Sequence, residues 1–106
     1  MWKVVVLFCA LITGNGPANA LCNTSDSVWI YETSSCYWCK EARRFLAAYG
    51  VNPISMDATN PQNQRVMMQY ARSTGTPVII VGSQYTGYRG IVGHNPALFV
   101  EYLCLR

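Results

Sequence analysis

The chain lacks a hydrophobic run long enough to cross a bilayer. Its longest apolar stretch, Val4 to Ile12, is nine residues, where a spanning helix needs roughly 20. Charge is sparse: eight Lys and Arg against five Asp and Glu give net +3 in 106 residues. So weak a bias argues against nucleic acid or an anionic membrane surface as partner. No glycine-rich loop that could cradle phosphate is present, so nicotinamide and flavin have no recognisable seat and no bound cofactor is expected. There is one histidine, His94, and no second C-x-x-C. Zinc wants four ligands and finds only Cys22, Cys104 and His94 beyond one cysteine pair, so no metal site is expected. No internal repeat or low-complexity tract appears, and the length suits one compact domain.

Residues 1–20 read as an export signal. Lys3 opens it, Val4 to Ile12 forms a short apolar core, and Ala18-Asn19-Ala20 is a small-residue cleavage triplet. A membrane anchor would need a longer core. A lipid attachment at Cys22 would want a small residue before it, where Leu21 stands. Cleavage after Ala20 leaves a domain of residues 21–106, periplasmic or secreted, with no stable membrane insertion. Losing Lys3 lowers the basic count from 8 to 7 against 5 acidic residues, net +2. Cys9 is lost as well, leaving Cys22, Cys36, Cys39 and Cys104, an even set that suits an oxidising compartment.

What the chain does have is Cys36-Tyr37-Trp38-Cys39. The pair falls where the apolar run Val28-Trp29-Ile30-Tyr31 gives way to a helical pattern. Cysteines three apart at a helix start lie on nearly the same side of the first turn, so their sulfurs can close a small ring. The positive end of the helix favours a Cys36 thiolate. The pattern points to redox exchange at Cys36 with Cys39 resolving; a fixed structural bond and a metal site are the rivals.

Ser27 to Glu32 reads as a buried strand. Ser35 is expected to cap a helix opening at Cys36, with Cys39, Ala42, Phe45, Leu46 and Tyr49 on its apolar face and Gly50 as the stop. Val51 to Asp57 predicts a second strand. Asn60-Pro61 predicts a capped helix through Val66, Met67, Tyr70 and Ala71, stopping near Gly75. Val78 to Val81 reads as a central strand. Gly82-Ser83 suits a tight hairpin returning along Gln84 to Arg89. Asn95-Pro96 opens a last helix with Leu98, Phe99, Tyr102 and Leu103 inward. The order β-α-β-α-β-β-α predicts an α/β fold: a four-stranded mixed sheet flanked by three helices.

That order, with C-x-x-C at the first strand–helix junction and Thr76-Pro77 opening the third strand, resembles the thioredoxin-like fold. The stretches Val28 to Tyr31, Cys36 to Lys40, Thr76 to Gly82 and Thr86 to Gly90 are most similar to glutaredoxins and glutaredoxin-like proteins. The resemblance implies a thiol–disulfide oxidoreductase. It makes Cys36 the attacking and Cys39 the resolving cysteine, and Pro77 the cis-proline beside the sulfurs. It gives Thr76 backbone contact with substrate, and sets Tyr88 and Gly90 beside the thiol groove. Tyr37-Trp38 departs from the Pro-Tyr or Pro-Phe usual between the cysteines and would meet substrate directly. Thr33, preceded by Glu32, stands where a basic residue is common, and a nearby carboxylate disfavours a thiolate. Ile91-Val92 replaces small or acidic contacts of glutathione-using relatives. Glutathione is therefore one candidate co-substrate and a protein disulfide another, with a redox partner supplying electrons to a monomer.

In the inferred topology the last helix ends near the start of the first strand. A structural disulfide between Cys22 and Cys104 is expected there; two buried free thiols, or Cys22 pairing between molecules, are the alternatives. Lys40, Arg43 and Arg44 read as a solvated helix face, Trp29 as core, and His94 as an exposed loop residue away from the cysteines. Trp38 has two readings, a contact for apolar substrate segments or a shield over Cys39. The competing functional class is a non-catalytic thioredoxin-like adaptor or metal-binding module.

Overall fold

A computed structural model describes residues 21–106; the expected signal at 1–20 lies outside the described residues. Four strands, β1 (Ser27–Glu32), β2 (Ile54–Asp57), β3 (Val78–Ser83) and β4 (Gly87–Val92), and three helices, α1 (Tyr37–Ala48), α2 (Pro61–Ala71) and α3 (Pro96–Leu103), follow in the order β1-α1-β2-α2-β3-β4-α3. The sheet order is β2-β1-β3-β4. β1 and β2 run parallel, while β3 is antiparallel to both β1 and β4. The mixed sheet flanked by helices is the architecture that the element order implies.

The central strands are apolar on both faces because both faces are covered. Val28, Ile30, Ile79 and Val81 point to one side, where Ala42 and Leu46 of α1 and Phe99 and Leu103 of α3 pack on them. Tyr31, Val78 and Ile80 alternate to the other side and meet Met67 of α2. Asn60 and Asn95 cap their helices by accepting backbone N–H groups, each ahead of a proline at the helix start; such caps are worth about 1 kcal/mol apiece. α2 stops at Ala71, short of Gly75, with Arg72 as a left-handed C-cap. Trp29 is half-buried over the α2 side rather than in the core.

The hairpin departs from expectation. β3 runs through Gly82 to Ser83, and the turn is Gln84 to Thr86, held by Ser83 Oγ accepting the N–H groups of Tyr85 and Thr86 at 3.1 and 3.2 Å. Gly82 is needed for a different reason than a turn. A Cβ there would collide with the carbonyl of Gly87 and sit 2.8 Å from Tyr88 Cα.

The register decides which loops meet. Tyr31 pairs with Val78 and Val78 with Val92. The end of β1, the start of β3 and the end of β4 therefore share one end of the sheet. The Gly93 N–H donates to the Pro77 carbonyl at 2.8 Å and ties two of these loops together.

Candidate active site

The β1–α1 junction lies at that end. Cys36, not Ser35, is the N-cap of α1, with extended backbone (φ −84°, ψ 108°). Its sulfur takes the role usually filled by a serine oxygen, accepting the Cys39 N–H at 3.0 Å. That position is where the helix presents its unpaired N–H groups, and no acidic residue occupies the first turn to oppose them. Cys36 is bonded to Cys39, with Cα atoms 5.2 Å apart. The two cysteines differ in access. Cys36 is partly exposed, whereas Cys39 is 2 % exposed and packed into the core.

Around the pair, Tyr37 and Trp38 are 61 % and 53 % exposed and meet edge to face at 4.9 Å. Thr76-Pro77 is a cis peptide, Pro77 buried and Thr76 partly exposed. Tyr88 and Gly90 are not brought to the sulfurs. Tyr88 pairs with Gly82, toward the hairpin end, four residues back from Val92, or ~13 Å along the strand. Its ring meets Trp29 and Tyr70 instead. Gly90 serves helix packing: a Cβ there would strike the Tyr70 carbonyl and come within 2.8 Å of Ala71 Cβ. At the thiol end stand Val92, the last residue of β4, and Gly93 just after it.

His94 also sits elsewhere than expected. Its ring stacks on Trp38 at 5.6 Å with 16° between planes, and meets Phe45 and Phe99 edge-on. One lone histidine after a strand carries no periodic signal that would have placed it there.

On the other flank an open polar cleft of about 780 Å³ runs past Cys39 between Glu32, Ser34, Lys40, Arg43 and Asp57. Arg43 donates to Glu32 through Nε and Nη2, and Ser55 donates to the same carboxylate. The repulsion expected from Glu32 toward a thiolate is thus offset by a paired cation. Arg44 pairs with Glu41 at 2.7 Å. Of the three basic residues read as a solvated face, Lys40 and Arg44 are exposed while Arg43 is partly covered. Among the described residues no three His, Cys, Asp or Glu side chains converge as a metal site would require.

At the opposite end of the molecule Cys22 is bonded to Cys104, Cα to Cα 5.0 Å. Cys104 directly follows α3 as its left-handed C-cap.

Residues 28–86, more than half the chain, match the glutaredoxin family. The chain belongs to the glutaredoxin family. Membership supports a thiol–disulfide oxidoreductase-like function. The chain is 28 % identical over 69 residues, 64 % of its length and 85 % of the relative's, to an uncharacterised glutaredoxin-like protein of the rubredoxin operon of Clostridium pasteurianum. Solved structures show the same thioredoxin-like fold. The glutaredoxin of Methanosarcina mazei superposes with TM-score 0.59 at 22 % identity, over 73 % of this chain and 77 % of that one. Methanoredoxin of Methanosarcina acetivorans gives 0.57 at 20 %, over 73 % and 83 %. The glutaredoxin of Archaeoglobus fulgidus gives 0.56 at 22 %, over 72 % and 84 %.

In this glutaredoxin-family domain the Glu32–Arg43 pair makes stability depend on acid. Hydrogen bonds from Arg43, then from Ser55, hold the Glu32 carboxyl below its ordinary value of 4.5, against the opposing pull of partial burial. A depressed folded value means the unfolded chain takes up the proton first as pH falls. The pair's contribution is therefore intact above 4.5 and lost below it. Urea midpoints followed from about pH 6 to about pH 3 should drop more steeply in wild type than in Glu32→Gln. Parallel curves would show that the bridge adds nothing.

Proposed function

We propose that the protein is an exported dithiol oxidoreductase in which Cys36 exchanges disulfides and Cys39 resolves them. One observation carries this reading: the two bonded cysteines are unequally exposed, with the more accessible one at the helix N-terminus. In the reducing direction the Cys36 thiolate attacks one sulfur of a substrate disulfide, forming a mixed disulfide and releasing the first substrate thiolate. Cys39, deprotonated, then attacks Cys36, expels the second substrate thiolate and closes the Cys36–Cys39 bond. Two electrons pass to the substrate, whose two thiolates take up the protons. A partner dithiol or glutathione returns two electrons to the pair. The oxidising direction runs through the same bonds in reverse.

Substrates are protein disulfides or small-thiol disulfides. Thr76 and cis-Pro77, at the same end of the sheet, would border the bound segment, with Tyr37 and Trp38 opposite. We assign residues 1–20 as a cleaved signal and the 21–106 domain to the periplasm or the exterior, working as a monomer. The pairing of all four cysteines of residues 21–106 supports such an oxidising setting.

The test is graded reduction in glutathione buffers followed by alkylation and mass mapping. Cys36 and Cys39 should be modified first, while Cys22 and Cys104 stay bonded, because a bond that stabilises the fold is by the same amount harder to reduce. A Cys36–Cys39 bond that resists until the protein unfolds would leave a non-catalytic adaptor.

A further inference from the structure

Trp38 is held from behind by a residue that the exchange chemistry does not use. His94 lies flat against its indole, centroids 5.6 Å apart, and is braced by Phe45 at 6.2 Å and Phe99 at 5.8 Å. Its Nδ1 is buried without a hydrogen-bond partner, so ring packing holds the imidazole. Its backbone is pinned on both sides. Gly93 before it donates to the Pro77 carbonyl, and Asn95 after it caps α3 by accepting the Leu98 N–H at 3.2 Å. The histidine thus links three parts of the site: the cis-proline loop, the α3 start and the exposed aromatic beside Cys36.

We infer that His94 is a positioning residue that pre-orders Trp38 as a platform for apolar side chains flanking a protein disulfide, and so sets preference for such substrates over small hydrophilic disulfides. An unbraced half-exposed indole would sample several rotamers and lose that freedom on each encounter. Held by His94, it presents one face beside the reachable sulfur, with Tyr37 and the 48 % exposed Val92 as further apolar surface at that end. A small polar disulfide needs only the sulfur and gains nothing from the platform. This deepens the exchange reading and rests on it.

The test compares insulin, a protein disulfide, with cystine. Loss of an aromatic stack is worth roughly a three- to tenfold change in an equilibrium. His94→Ala should raise KM for insulin by about that factor, with kcat and the cystine kcat/KM unchanged, and His94→Phe should restore it. Trp38→Ala, at a half-exposed position that tolerates truncation, should raise the insulin KM as much and make a further His94→Ala change silent. With Trp2 and Trp29 replaced by Phe, Trp38 emission reads the stack without turnover and should move to longer wavelength in His94→Ala. An insulin KM unmoved by Trp38→Ala, equal loss with cystine, additive effects or unmoved emission would each overturn the proposal. A wild type inert toward both disulfides would instead remove the exchange reading, and the emission arm would still report whether His94 holds Trp38.

Discussion

Cys36→Ser should reduce disulfide turnover to the uncatalysed background while leaving the fold intact. Among the described residues no other thiol can stand in. Cys39 is 2 % exposed and packed into the core, and Cys22 and Cys104 are bonded to each other. Cys39→Ser separates the two steps. The first attack still proceeds, the mixed disulfide cannot be resolved from within, and the adduct on Cys36 should accumulate. Intact-mass spectrometry after mixing with a substrate disulfide reads it directly. Losing the Cys36–Cys39 link should cost the fold little. Its sequence separation of 3 closes a minimal loop, on the order of 1–2 kcal/mol by the chain-entropy relation. Full turnover in Cys36→Ser would refute the assignment of the nucleophile.

Removing the other bond should do the opposite. Cys22→Ser with Cys104→Ser opens a loop of sequence separation 82, for which the same relation predicts a loss of about 4.5 kcal/mol. At roughly 4–8 °C per kcal/mol for a domain of this size, Tm should fall by about 18–36 °C. That is a large part of the 5–15 kcal/mol that typically holds a domain folded, so the assay belongs well below the new midpoint. There, turnover should be retained, since the bond joins Cys22, ahead of β1, to the end of α3, at the far end of the sheet from Cys36. Thermal unfolding by circular dichroism and insulin reduction on the same samples check both halves. An unchanged Tm would mean the ends are held by packing alone, and lost activity in folded protein would mean the two cysteine pairs communicate.

The sequence was most readable where the physics is local. Asn60-Pro61 and Asn95-Pro96 mark helix starts because a cap oxygen and a proline act within one turn, and both helices begin there. Val78 to Val81 reads as a doubly covered strand because four adjacent apolar residues leave no polar face. Reading failed where a residue's role depends on a distant neighbour. Gly82 looked like a turn glycine, yet it is glycine because the Gly87 carbonyl crosses close above it. Gly90 and Tyr88 looked like groove residues, yet one admits the end of α2 and the other joins an aromatic patch toward the hairpin. Ser35 looked like the cap, and a sulfur took the position.

From sequence alone come the cysteine pair at a strand–helix junction, the order of seven elements and hence the fold, because propensity, capping and apolar periodicity act over a few residues. Tertiary structure alone decided which sulfur is reachable, that Arg43 neutralises Glu32, and that His94 backs Trp38. Each of those depends on strand register and helix packing, which bring together groups that no local pattern connects.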